Sequence, residues 1–88
     1  MNLPYLQSEI FRELVNMEPL LKPEYYLKII RHTKDIEVRA CRRKRNFLIS
    51  VMMINTSNIK TWQDITAEIN RIWQAIPAEC KRITLNKP

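Results

Sequence analysis

The chain has 88 residues, enough for one small domain spanning 1–88 around a single core and too few for a second. Its 45% hydrophobic and 27% charged side chains suit a folded globular domain rather than a disordered segment, and a net charge of +6 points to an acidic or polyanionic partner. The longest apolar stretch, Phe47 to Ile54, is broken by Ser50 and falls short of the roughly 20 residues of a membrane helix; with no secretory pattern at Met1–Tyr5, the expectation is a cytoplasmic protein without a membrane span.

Asn2 ahead of Pro4 suits the cap and first turn of a helix in which Leu6, Ile10 and Leu14 recur every fourth residue, flanked by Phe11 and Val15. That helix should end near Met17, because Pro19 restrains the residue before it and interrupts the hydrogen-bond ladder. Pro23 and Glu24 read as the opening of a second, shorter helix running to about Thr33. It would bury Tyr26, Ile29 and Ile30 and place Arg31, His32 and Lys34 at its negative end.

From Asp35 the period changes to two, with Ile36, Val38 and Ala40 alternating with Glu37, Arg39 and Cys41 as in a half-buried strand. The near-continuous apolar run Phe47 to Ile54 reads as a more central strand, covered on both faces and antiparallel to the first. Thr61 followed by Asp64 is an acidic variant of the capping box, and Trp62, Ile65, Ile69, Ile72, Trp73 and Ile76 trace an apolar stripe that ends at Pro77. Ile83 and Leu85 offer a short last edge strand. The expected fold is therefore α+β: two N-terminal helices, an antiparallel β-hairpin and a C-terminal amphipathic helix. So small a sheet is marginal alone, which makes a homodimer one expected assembly. The chain contains no glycine, so positive-φ positions in its turns fall to other residues, with Asn46, Asn55 and Asn58 the candidates.

Catalysis finds little support. Cys41 and Cys80 are the only cysteines and are expected as reduced thiols, neither beside a group that would activate it. His32 is the only histidine, and no spacing of His and Cys resembles a zinc site. Without glycine neither a phosphate loop nor a dinucleotide fingerprint can be built. Asp35 and Glu37 share one strand face, where pairing with Arg39 or the basic turn is the expectation. The reading is non-enzymatic, with no cofactor and no metal.

Charge is concentrated instead. Five of the 15 basic side chains lie between Arg39 and Arg45, four of them consecutive: Arg42, Arg43, Lys44 and Arg45. Adjacent cations repel, and a polyanion relieves that repulsion while its own counterions are released. Arg adds a planar fork that donates two hydrogen bonds to one phosphate. The candidate nucleic-acid-binding residues are thus Arg39, Arg42, Arg43, Lys44 and Arg45, joined by Lys81 and Arg82 if the tail folds back beside the turn. DNA or RNA would be met by a two-stranded ribbon rather than a helix-turn-helix, since Pro19 and Pro23 interrupt the connector between the first two predicted elements. Trp62 and Trp73 belong to the core stripe; Phe47, beside the basic turn, is the aromatic whose exposure would favour base stacking.

The same cluster would also suit an acidic protein surface. A different class of function is a protein-binding adaptor, assembly factor or inhibitor that docks through an apolar helix face or an open sheet edge, with Met52 and Met53 as adaptable contacts.

Overall fold

The computed structural model describes residues 3–82, with side chains from Tyr5 onward. The expected Asn2 cap and the strand at Ile83–Leu85 lie outside the described residues. Helix α1 (Leu3–Met17) ends where Pro19 requires, in a single 3-10 turn Glu18–Leu20. Leu6, Ile10, Leu14 and Met17 are its buried face. Phe11 is half-buried, with the Arg31 guanidinium 5.0 Å from its ring centre.

The second predicted helix does not form. Tyr25–Arg31 is strand β1, so there is one N-terminal helix rather than two. Pro23 and Glu24 make a turn, closed by the Tyr25 amide donating to the Lys22 carbonyl at 3.0 Å, and the strand starts directly after it. Tyr25, Leu27 and Ile29 pack toward the core; the alternate residues lie on the other face. The apolar residues 25, 26, 27, 29 and 30 satisfy a helical period as well as a strand period. Pairing with strand β2 (Asp35–Arg42), from Tyr25↔Arg42 to Arg31↔Ile36, decides between them.

Strand β3 (Phe47–Asn55) pairs antiparallel with β2, as the hairpin reading expects, but its place in the sheet is different. The order is β1-β2-β3, so β2 is central and β3 is an edge. Met52 and Ile54 face the core, whereas Leu48, Val51 and Met53 are 46%, 48% and 44% exposed. A continuous apolar run does not reveal that one of its faces meets solvent. A bulge between Ala40 and Cys41 places Ile49 opposite no partner of its own.

Helix α2 (Trp62–Ala75) begins with the expected capping box: the Asp64 amide donates to Thr61 Oγ1 at 3.2 Å and the Thr61 amide to Asp64 Oδ2 at 2.9 Å. Ile65, Ile72 and Ile76 are buried, with Ile69 and Trp73 packed partly against them. Trp62 departs from the core reading. It occupies the first helical position, is 49% exposed and meets Tyr5 edge-on, with ring centres 6.4 Å apart.

Both helices and their connectors cover one face of the sheet, where Leu27, Ile36, Val38, Ala40, Met52 and Ile54 complete a single core. Thr56, the one buried polar side chain among the described residues, donates to the Lys34 carbonyl at 2.8 Å and ties the β1–β2 loop to the chain after β3. No described helix is long and apolar enough to cross a membrane.

Candidate nucleic-acid interface

Between β2 and β3 the chain reverses over Arg43–Asn46, and the absence of glycine is felt here. Arg45 has φ 64° and Asn46 φ 50°, the two positive-φ residues among those described. Asn46 is one of the residues anticipated for this geometry; Asn55, at φ −90°, instead caps the turn after β3 by accepting from the Ser57 amide. Arg45 in the left-handed region carries a steric cost that Asn or Gly would not.

The turn is fastened to the start of β1. The Arg43 amide donates to the Glu24 carbonyl at 2.8 Å, and Arg43 Nε donates to the Pro23 carbonyl at 2.9 Å. The Arg43 guanidinium lies 5.3 Å from the Tyr26 ring centre. The Tyr26 hydroxyl in turn donates to Asn46 Oδ1 at 3.0 Å. Burial, and then the adjacent Cys41 thiol, push the Tyr26 hydroxyl above its ordinary pKa while Arg43 opposes them, so it remains a donor.

The four consecutive cations are all exposed, but they are not equivalent. Arg42 lies over Phe47, 5.5 Å from its ring centre, and Arg43 is bonded to the Pro23 and Glu24 carbonyls as above. Lys44 and Arg45 make no hydrogen bond or ion pair with any described residue. Arg39 sits lower on the open face of the sheet, paired with Glu37, which also accepts a hydrogen bond from His32 Nε2 at 2.9 Å. The bond from His32, then that from Arg39, holds the Glu37 carboxyl below its ordinary pKa.

The tail returns to this end of the molecule. The Lys22 amide donates to the Cys80 carbonyl at 2.8 Å, Leu21 bridges to Lys81, and the Arg82 amide donates to the Leu20 carbonyl at 2.9 Å. Cys80 is fully buried. Its thiol is pushed up by burial and by Glu79, against the opposing fields of Arg42, Lys22 and Lys81. The backbone bonds to the tail hold Lys22 and Lys81 on adjoining segments. Lys81 Nζ lies over Trp73 at 4.7 Å, and the Arg82 guanidinium is bonded to the Pro19 carbonyl at 3.3 Å.

Two residues at this end carry no local sequence signal: Lys22, whose amide bonds to the returning tail, and Tyr26, expected on a helix and found on β1. Cys41 and Cys80 are both free and buried, and no group of three His, Cys, Asp or Glu side chains suited to a metal ion occurs among the described residues. Compared with protein-family models, curated proteins and solved structures, the chain matches none.

Proposed function

We propose that this protein is a non-enzymatic binding protein that contacts nucleic-acid phosphates through the turn between β2 and β3. Lys44 and Arg45 carry the reading: two adjacent cations at the turn with no partner among the described residues. Arg42 adds positive charge near them in the chain, Lys22 and Lys81 add it where the tail pairs with the segment before β1, and Arg43 contributes chiefly by holding the turn to Pro23 and Glu24. Arg39 and Arg82, each bonded within the protein, are secondary contacts at the margin. Two free, buried thiols support a reducing compartment, the cytoplasm.

Salt dependence tests this directly. Four phosphate contacts to duplex DNA give a slope of log affinity against log salt near about −3.6, and about −2.8 for a single strand. Replacing Arg42, Arg43, Lys44 and Arg45 together by Ala should remove most of that slope. Equal affinity and equal slope for variant and wild type on both kinds of probe would refute the reading.

A second reading has its own observation. Leu48, Val51 and Met53 form an exposed apolar line along the edge strand β3, a surface suited to a protein partner or a second copy of the chain. An adaptor of that kind would retain a stoichiometric protein partner after nuclease treatment and at high salt, conditions that release a complex held through phosphate.

A further inference from the structure

We infer that the nucleic acid taken at this turn is single-stranded, with a base stacked on Phe47; the inference rests on the phosphate-binding reading and narrows its ligand. Phe47 is 57% exposed, the most exposed of the large hydrophobic side chains among the described residues. It follows Arg45 by two positions, so their Cα atoms are at most about 7.6 Å apart. A ring that follows two unpaired cations on the same turn offers a stacking surface near a phosphate contact, which is how strands are held without reading their sequence. The Arg42 guanidinium already lies over one face of the ring at 5.5 Å, and guanidinium planes stack on bases as well as on aromatic rings.

A duplex fits this end of the molecule poorly. The turn does not project as a free two-stranded ribbon, because Arg43 ties it to Pro23 and Glu24, and β1 pairs with β2 up to Tyr25↔Arg42. The end therefore presents three strands, about 9.6 Å between the outer two before side chains are added. The outer strands' own backbone atoms extend that at both edges, leaving no clearance in a major groove of about 12 Å. Within a duplex, moreover, the faces of the bases are already stacked on one another and closed to Phe47. In a single strand they are open.

The test uses fluorescence anisotropy on the full chain with three probes at one salt concentration: an oligothymidylate of about a dozen nucleotides, its duplex with oligoadenylate, and an abasic strand of the same length. The expected result is tighter binding of the oligothymidylate than of the duplex. Phe47→Ala should weaken it about 5- to 150-fold with the salt slope unchanged, as loss of one stacked base requires. Phe47→Trp should retain the affinity, and the abasic strand should be indifferent to either substitution. Because Phe47 is largely outside the core, both variants should keep the wild-type circular dichroism. Duplex binding as tight as single-strand binding, or an unchanged affinity for Phe47→Ala, overturns the inference while leaving the phosphate reading standing. A salt slope left unchanged by Ala at both Lys44 and Arg45 overturns the phosphate reading itself.

Discussion

Arg71 of α2 donates through a terminal guanidinium nitrogen to the main-chain carbonyl of Met53 in β3, at 2.6 Å, and is held in place by Glu68 at 2.6 Å on the same helix. An edge strand without charged residues is a template for pairing with another chain, and Phe47–Asn55 contains none. The guanidinium occupies one of the acceptors that an incoming strand would need. Arg71→Ala should therefore raise self-association relative to wild type, seen as a concentration-dependent rise in sedimentation coefficient. Adding Val51→Lys to that variant should reverse the rise. No difference between Arg71→Ala and wild type would mean that the contact does not guard the edge.

The left-handed backbone of Arg45 separates the conformational demand of the turn from its charge. Arg45→Asn should raise stability by roughly 0.5 kcal/mol, because Asn tolerates this region better, and should remove one phosphate contact. Arg45→Val, β-branched, should lower stability by about 1 kcal/mol or more. Urea denaturation of the three proteins measures the order; a stability unaffected by Val would show that the turn relaxes to another geometry.

At the start of α2, Thr61 satisfies the Asp64 amide, one of the donors that the first helical turn leaves open. Thr61→Ala should cost about 1 kcal/mol, and Thr61→Ser should restore most of it. Thermal unfolding followed at 222 nm would register the loss.

Acid sensitivity has two identified sources. The Asp64 carboxyl lies below its ordinary pKa because it accepts from the Lys60 amide and then from the Thr61 amide; Glu37 lies below its own because of His32 and then Arg39. A carboxyl depressed by folding stabilises the native state fully above its unfolded pKa, and that contribution is lost as pH falls through the folded value. Stability should fall on acidification between roughly pH 5 and pH 2. Asp64→Asn and Glu37→Gln should each be less stable than wild type at neutral pH and show a shallower decline. Denaturant midpoints measured across that range provide the comparison, and an undiminished decline in both variants would place its cause elsewhere.

Helix α1, helix α2 with its capping box, and the alternation in β2 were legible in the sequence because each carries its period and its boundary signal within one segment. Leu6, Ile10 and Leu14 specify a face, Pro19 stops it, and Thr61 with Asp64 starts the last helix without reference to distant residues. Tyr25–Arg31 was not legible, since its five apolar residues fit either period and the hydrogen bonds that choose the strand are supplied by Asp35–Arg42. Nor was the edge position of Phe47–Asn55, because strand order is a property of the whole sheet.

The candidate site divides in the same way. The sequence by itself determined the charge of Arg42–Arg45, the lack of glycine at their turn and the adjacency of Phe47, all of them local facts. Only the tertiary structure decided which of those cations remain without a partner, that Lys81 pairs back beside Lys22, and that Phe47 stays outside the core. Those outcomes depend on which carbonyls and rings the fold brings within about 3 to 6 Å of each guanidinium, a distance that spacing along the chain does not specify.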